Sequence, residues 1–249
     1  HVYAVVAPAV SSQFQGVKTE QVYAGIKELG FYDVVEAAIG ADMVSAFEAK
    51  ELAETVEEKG WKTSSCCPAF VDYVEKNYSQ FVDHISTAVS PMIATARAIK
   101  AKDKKARVVF VGPCTAKKVE MKRESLKDAV DIVITFEELQ AIFDAREIEL
   151  TSLEPRMAGE ASSFGRNFAR TGGVTESVAH TLELSGLDLD VKAVRCNGID
   201  ECIKAMKMVS FGKLDANFIE GMACKHGCTG GAASLLHDCL LYTSPSPRD

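Results

Sequence analysis

The sequence lacks a long apolar run, and it lacks an excess of positive charge. Although 47% of its 249 residues are hydrophobic, no apolar stretch approaches the ~20 residues that a transmembrane helix needs. The net charge is −7, with 28 Lys and Arg against 35 Asp and Glu, and such a balance disfavours polyanionic partners. The sequence therefore predicts neither a membrane protein nor a protein whose main partner is nucleic acid.

Internal repeats and low-complexity linkers are also absent, so the chain reads as one large domain or two lobes. It begins at His1 rather than Met and enters the strand-like run VYAVVAPAV at once. We therefore expect a fragment whose N-terminal region is missing. The residues after Leu241 are polar and proline-rich without periodicity. We expect a domain over residues 1–238 and a non-native tail over residues 239–249.

Strand-like apolar runs alternate with amphipathic helical patterns along the chain. Thr19 is predicted to cap a first helix, Gly60 to end a long helix that starts near Asp42, and Thr135 with Glu138 to form a capping box. The strand-like runs are VYAVVAPAV, YDVVEAAIG, ARVVFVGPC, DIVIT, VKAVRCNGI and DANFIEGM. This alternation predicts an α/β fold with mostly parallel sheets, in which sites form at the carboxyl ends of strands.

Eight cysteines are many for a chain with this much ordinary core. A chain of this size does not need disulfide staples, and reduced thiolates that hold a metal in the cytoplasm fit better. Separate buried thiols are the alternative, because free Cys packs as a small hydrophobe. Paired CxxC knuckles, typical of zinc sites, are missing. Instead the cysteines stand in SSCCPAF (64–70), GPCTAKKVE (112–120), RCNGIDEC (195–202) and EGMACKHGCTGG (220–231).

Three of these stretches share small or turn-forming neighbours, which let the backbone approach an inorganic cluster and aim N–H groups at it. In this order, SSCCPAF, GPCTAKKVE and EGMACKHGCTGG resemble the H-cluster signatures of [FeFe]-hydrogenases, roughly TSCCPxW, MPCxxKxxE and ExMxCxxGCxxGG. The resemblance runs from APAV to TGGAA, nearly the whole chain. It implies two α/β lobes of twisted, mostly parallel sheets with the cluster site between them.

The resemblance also implies a cofactor. A [4Fe–4S] cluster would be held by Cys67, Cys114, Cys224 and Cys228. Cys228 would in addition bridge to a two-iron subcluster with CO, cyanide and dithiolate ligands, because a thiolate binds soft iron and can bridge two metals. Cys224 would touch the [4Fe–4S] cluster alone.

Further roles follow from the same resemblance. Cys66 would be a free thiol that relays protons, Lys117 would donate to a cyanide, and Glu120 would orient the loop. Ser86 matches a serine of the family's proton path, and Glu48, Glu51 and Glu54 are candidates for its carboxylates, although a helix glutamate is more often solvated. The walls of the two-iron pocket would be Ala7, Pro8, Phe168 and Met222.

The chain departs from the family pattern at several positions. Gly112 replaces a Met, Met92 stands where a Gln is common, and Phe70 replaces a Trp. Losing the Met and the Gln would remove packing and a hydrogen-bond donor, which favours slow turnover or a role as H₂ sensor. Cys196 and Cys202 have no role in the cluster; they are interpreted as buried structural thiols, with a redox-responsive or metal-binding pair as the alternative.

We therefore expect an oxidoreductase that catalyses 2H⁺ + 2e⁻ ⇌ H₂ in the cytoplasm. Its partners would be H₂ and protons, ferredoxin or upstream ferredoxin-like domains as electron donor, and cofactor maturation proteins. Two alternatives stay open. A cytosolic cluster-assembly family shares the fold and keeps the cluster cysteines, but it typically lacks the relay thiol at Cys66. A structural zinc site is disfavoured because the ligands are dispersed.

Overall fold

Two parallel β-sheets organise the chain in a computed structural model that describes residues 1–236. The expected non-native tail and Cys239 lie outside the described residues. The strands are β1 (Val2–Val6), β2 (Asp33–Glu36), β3 (Lys62–Thr63), β4 (Arg107–Gly112), β5 (Ile132–Thr135), β6 (Ala193–Asn197) and β7 (Phe218–Met222). They form one sheet of order β2-β1-β4-β5 and a second of order β3-β7-β6. Each strand pairing in residues 1–236 is parallel.

Helices and short 3₁₀ turns connect the strands. The helices are α1 (Thr19–Glu28), α2 (Ala37–Lys59), α3 (Pro68–Asn77), α4 (Pro91–Lys102), α5 (Lys117–Glu120), α6 (Phe136–Ala145), α7 (Ser163–Asn167), α8 (Gly173–Leu184) and α9 (Ile199–Ser210). The 3₁₀ turns span Pro8–Ser12, Ser79–His84, Glu124–Leu126, Leu150–Ser152 and Gly227–Gly230. Over residues 1–236, none of these helices has both the length and the apolar character that crossing a membrane requires.

The predicted α/β fold with two lobes is confirmed. In the larger sheet β1 lies between β2 and β4, and its residues Ala4, Val5 and Val6 are fully buried, as expected for a parallel strand covered on both faces. One apolar cluster packs around this sheet, and two further clusters pack around the smaller sheet. Each sheet with its helices is one lobe. The long helix α2 leaves the end of β2 in the larger lobe and leads to β3 in the smaller one.

Several element boundaries differ from the sequence prediction. The run YDVVEAAIG is a strand only to Glu36, and α2 starts at Ala37 rather than near Asp42. Its first turns carry small residues, and a side chain at Gly40 would collide with Thr95 of α4, so this apolar stretch is a closely packed helix rather than a strand. Thr19 is the first residue of α1 and not its cap.

Two predicted helix signals match the structure. Gly60 is the cap that ends α2, with a φ of 78°. The Thr135 hydroxyl accepts a hydrogen bond from the N–H of Glu138, whose carboxylate accepts one from the N–H of Thr135. This reciprocal capping box starts α6 directly at the end of β5.

Candidate metal centre and proton path

The cysteine-bearing loops all leave the carboxyl ends of strands. Cys66 and Cys67 follow β3, Cys114 follows β4, and Cys224 follows β7. Cys228 lies in the 3₁₀ turn Gly227–Gly230, and its N–H donates to Ala169 O at 2.7 Å. Since β4 belongs to the larger sheet while β3 and β7 belong to the smaller one, the loops come from both lobes.

Four of these thiols act on one another electrostatically. Burial raises the pKa of Cys228, and Cys114, Cys67 and Cys224 raise it further. Burial also raises the pKa of Cys224, with additional contributions from Cys67 and Cys114. Such mutual effects require the four sulfurs to lie near one another. The structure thus brings together the four cysteines that the sequence motifs single out.

Backbone N–H groups point at two of these sulfurs. Burial raises the pKa of Cys114, whereas the Lys117 ammonium and the N–H groups of Lys117 and Ala116 lower it. The N–H of Ala232 acts in the same way on Cys224. Hydrogen bonds to sulfur favour the thiolate and tune an iron–sulfur cluster. This set of soft donors fits a [4Fe–4S] cluster.

A site for a single metal ion would need a different arrangement of ligands from a cluster site. Over residues 1–236, no three His, Cys, Asp or Glu side chains converge closely enough to hold one metal ion. A cubane does not require such convergence, since each of its four cysteines binds a different iron. A structural zinc would require it.

Glycines close the C-terminal loop against its neighbours. A Cβ at Gly227, which has a φ of 71°, would lie 2.5 Å from Ala169 O, and one at Gly231 would lie 2.7 Å from Pro113 O. The small residues were expected to leave space for an inorganic cluster. In the structure these two glycines let protein segments approach each other, which holds the loop of Cys228 against the loop of Cys114.

Cys66 differs from the four cysteines of the candidate cluster site in having an acidic neighbour. It is 9% exposed and lies in one apolar cluster with Phe168 and Met222. Burial raises the pKa of its thiol, and the Glu48 carboxylate is the next contributor. Cys66 thus stands between the cysteine site and an acidic side chain of α2.

Lys117 is a buried cation at the first turn of α5. Its ammonium donates to Cys66 O at 3.1 Å and lies 2.6 Å from Glu120 Oε2, with both side chains less than one-tenth exposed. Burial alone would lower the pKa of Lys117, but the charges of Glu120 and Cys114 raise it. Lys118, in contrast, pairs with Glu138 on the surface. Glu120 therefore fixes Lys117 beside Cys66, in agreement with a role in orienting the loop.

The predicted pocket walls lie on two sides. Phe168 and Met222 are 4% and 2% exposed and pack in the same cluster as Cys66. Ala7 and Pro8 follow the carboxyl end of β1, where the Ala7 N–H donates to Val111 O of β4 at 2.8 Å. Met222 ends β7, which carries the loop of Cys224; Ala7 and Pro8 follow β1, the neighbour of β4, and Phe168 follows α7.

The ring of Phe110 lies beside Gly112. A Cβ at Gly112 would lie 2.8 Å from Phe110 Cε1 and 3.0 Å from Ala7 Cβ. Residues 110 and 112 share one face of β4, so the ring covers the place that a larger side chain at 112 would take. The expectation that the Met-to-Gly change removes packing around the two-iron unit stays a prediction. Met92 is buried near the start of α4.

A row of polar side chains leads away from Cys66. Glu48 is 2% exposed, and its Oε1 accepts from the Ser65 N–H at 3.1 Å. Burial raises the pKa of Glu48 to about 7, although the Ser65 N–H and the Ser86 hydroxyl act against the rise. Glu48 Oε2 makes no direct hydrogen bond within residues 1–236. This carboxyl group therefore titrates near neutral pH.

Ser86 links Glu48 to Glu51. The bridge between Thr63 and Ile85 and the hydrogen bond from Ser86 N to Thr63 O, at 2.9 Å, hold this segment against β3. The Ser86 hydroxyl lowers the pKa of both Glu48 and Glu51. Ser86 thus stands between two carboxyl groups that lie three residues apart on α2.

The structure separates the three glutamate candidates. Glu48 and Glu51 contact the Ser86 segment, whereas Glu54 is a surface residue with a side chain 62% exposed, 3.7 Å from Lys50. A cavity of about 610 Å³ touches Ser65, Ser86 and Thr87. The serine and threonine neighbours of Glu48 and Glu51 therefore border a space large enough for water.

Cys196 and Cys202 lie outside this site. Both are fully buried in an apolar cluster of the smaller lobe, and the Cys202 thiol donates to Met222 O at 3.5 Å. The Cys196 thiol, together with burial, raises the pKa of Cys202 far above its ordinary value. Cys196 lies in β6 and Cys202 in α9, so the pair is part of the core of the smaller lobe.

Sequence reasoning missed several residues of the site: Ser65, Thr87, Lys62, Phe110 and Glu220. Glu220 is fully buried and accepts from Gly172 N and Thr175 N, which ties β7 to the start of α8. One signal was present for the path: Glu48 lies four residues from both Val44 and Leu52, on the buried stripe of α2. The other contacts join residues distant in sequence.

Comparisons with known proteins agree with this geometry. The family described as iron only hydrogenase large subunit, C-terminal domain, matches residues 1–232. Iron hydrogenase 1 of Clostridium pasteurianum is 31% identical over 93% of this chain and 49% of its own length. The cytosolic Fe-S cluster assembly factor NAR1 of Sclerotinia sclerotiorum is 32% identical over 60% of this chain and 29% of its own length.

Solved structures show the same fold. The apo [FeFe]-hydrogenase HydA1 from Chlamydomonas reinhardtii, variant C377H, superposes with a TM-score of 0.79 at 24% identity, covering 98% of this chain and 82% of that one. At this identity the likeness shows the fold. The chain spans about half the length of Iron hydrogenase 1.

Proposed function

This chain belongs to the iron-only hydrogenase large-subunit family, C-terminal domain, and we propose that it catalyses the reversible reduction of protons to H₂. The observation that carries the proposal is the buried thiol of Cys66. It stands between a four-cysteine site and the polar row of Glu48, Ser86 and Glu51. A cluster that only stores or transfers electrons has no need of such a proton path.

The residues at the site fit the family's cofactor. Cys67, Cys114, Cys224 and Cys228 would hold a [4Fe–4S] cluster, and Cys228 would also bind a two-iron subcluster. When bound, the cofactor with its CO, cyanide and dithiolate ligands supplies the cleavage or formation of H₂ and the exchange of electrons. The buried ammonium of Lys117 would donate to a cyanide of this group, and Ala7, Pro8, Phe168 and Met222 would exclude water from it.

The protein's own residues move the proton. Cys66 exchanges the proton with the cofactor site on one side and with Glu48 on the other. Both the neutral and the ionised form of Glu48 are present near pH 7, so it can give or take a proton. From Glu48 the proton moves through the Ser86 hydroxyl to Glu51, whose side chain is 12% exposed. Glu51 exchanges it with water.

Infrared spectroscopy of the matured chain tests the proposal. After loading with the two-iron cofactor, we expect metal-bound CO and cyanide bands together with H₂ turnover. Cys66→Ala should lose turnover by about a hundredfold or more and keep its iron. Cys196→Ala, which removes a buried thiol outside the site, is the matched control and should keep both. Loss of iron in Cys66→Ala would contradict its assignment as a relay.

The relationship to NAR1 supports one alternative, a non-enzymatic [4Fe–4S] protein of the cluster-assembly type. That function predicts a paramagnetic cubane signal with neither CO nor cyanide bands after maturation. It also predicts no H₂ turnover in the wild-type chain, so that Cys66→Ala has no effect on it. A sensory role is the third possibility. It rests on the apolar Met92 and predicts bound cofactor with turnover far below that of a catalytic hydrogenase.

We further propose a cytoplasmic location, with ferredoxin or ferredoxin-like domains as electron donor and maturation proteins supplying the cofactor. The seven cysteines in residues 1–236 are all free thiols, which suits a reducing compartment. The relatives include both cytosolic and periplasmic proteins. Cell fractionation tests the location, and H₂ production with reduced ferredoxin tests the donor.

A further inference from the structure

Lys62 is a buried cation that belongs to none of the cysteine motifs. It is the first residue of β3 and only 3% exposed, and its ammonium lies 2.7 Å from Glu51 Oε1. A buried ammonium is costly unless it is paired and hydrogen-bonded. Here the partner is the outer carboxylate of the proposed proton path.

Glu51 is held by donors from two sides. Besides Lys62, its Oε1 accepts from the Thr87 hydroxyl at 2.8 Å, and the Thr87 N–H lies 3.1 Å from Oε1 and 3.2 Å from Oε2. These donors leave the carboxylate one orientation, next to Ser86. The cation comes from β3, and the neutral donors come from the segment after Ile85.

Charges around Glu51 differ from those around Glu48. The Glu51 carboxylate raises the pKa of Glu48 on the same helix, while the segment after Ile85 supplies the hydroxyls of Ser86 and Thr87 to Glu51. Among residues 1–236, Lys62 is the cation paired with Glu51. Burial by itself would raise the pKa of Glu51, but hydrogen bonds from Lys62, Ser86 and Thr87 lower it. Within residues 1–236, no cation hydrogen-bonds to Glu48, and burial raises its pKa to about 7.

We infer that Lys62 is a positioning residue of the proton path, whose ammonium fixes Glu51 as an ionised carboxylate facing Ser86. This inference rests on the proposed function, because it assigns Glu51 to that path. An ionised Glu51 carries no proton and can therefore accept one that arrives from Glu48 through Ser86. Because its pKa is low, it then releases that proton readily to water. In the opposite direction, a proton enters the path only through protonated Glu51. The rate of proton entry therefore falls as pH rises.

Titration of the Glu51 carboxyl group tests the inference directly. In infrared spectra of the full chain, the band that Glu51→Gln removes is assigned to Glu51 and followed against pH. Lys62→Met should move its midpoint upward by about one pH unit, the size of effect that a neighbouring opposite charge has. Lys62→Arg keeps the positive charge and should therefore keep the wild-type titration midpoint of Glu51. In matured enzyme, the alkaline limit of H₂ production should move upward with it.

The outcomes separate the two proposals. If the wild-type chain makes no H₂, the proposed function fails, while the Glu51 titration still decides the role of Lys62. An unchanged midpoint in Lys62→Met, or equal loss of activity at every pH, would overturn the inference. Lys62→Gln, which is neutral but can still donate a hydrogen bond, is the second variant. If neither neutral variant folds, Lys62 is a structural residue and the inference is wrong.

Discussion

At the scale of single residues, two carboxyl groups on one helix have opposite electrostatic surroundings. Glu48 is buried against Ser65, whereas Glu51 is paired with Lys62 and held by Thr87. Environments that drive the pKa values of neighbouring acids apart are a sign of a proton-transfer site. The difference between the two carboxyl groups follows from their contacts, not from their residue type.

The raised pKa of Glu48 makes stability depend on pH. Because this pKa is about 7 in the folded protein against a reference of 4.5, the contribution of Glu48 to stability is fully present below pH 4.5 and is lost as pH rises through 7. The Glu48→Gln variant has no such charge. We expect it to gain stability relative to wild type between pH 5 and pH 8, by up to about 3 kcal/mol.

Urea unfolding at several pH values measures this difference. Glu54→Gln is the matched control, because Glu54 lies on the same helix but is exposed, and its difference from wild type should stay near zero. A Glu48→Gln difference that is equal at pH 5 and pH 8 would show that Glu48 is not held neutral by burial.

At the scale of elements, the ends of β1 and β4 pack through Phe110, Ala7 and Gly112. The ring of Phe110 lies over Gly112, so the ring and a large side chain at 112 cannot both be accommodated. We expect Gly112→Met to destabilise the protein by about 1–3 kcal/mol, the usual effect of overpacking.

A double-variant cycle tests this packing. Phe110→Ala alone should cost about 3–5 kcal/mol, and Phe110→Ala with Gly112→Met should cost clearly less than the sum of the two single changes, because the Met fills the space that the ring leaves. Strict additivity of the two unfolding free energies would mean that the ring does not occupy this space.

At the scale of the whole molecule, the cysteine loops join two lobes. Cys114 comes from the larger sheet, whereas Cys67 and Cys224 come from the smaller one. A cluster bound to all of them would link both lobes, and metal binding to the folded state adds to stability.

Iron loading is therefore expected to raise the thermal unfolding midpoint, and Cys114→Ser should lose most of this increase together with iron. Cys202→Ser changes a buried thiol outside the site and is the control: it lowers the midpoint of the iron-free and the loaded protein alike. Differential scanning calorimetry with iron analysis measures both. Full iron content in Cys114→Ser would remove Cys114 from the ligand set.

The sequence alone was sufficient for the α/β class, for most strands and helices, and for the order of the cysteine motifs. These features are local: periodic apolar residues, Gly60, and the capping box of Thr135 each act within a few positions of the chain. Three ordered motifs also identified the family, because each is a short stretch whose residue types are constrained by one site.

Only the tertiary structure decided which glutamates face Ser86, what covers Gly112, and that Lys62 is buried against Glu51. The physical reason is that these contacts join residues on different elements: α2 with β3 in the pair of Glu51 and Lys62, and β1 with β4 beside Phe110. A helix pattern gives Glu48, Glu51 and Glu54 similar local surroundings. Packing against β3 and the segment after Ile85 buries the first, pairs the second and leaves the third in water.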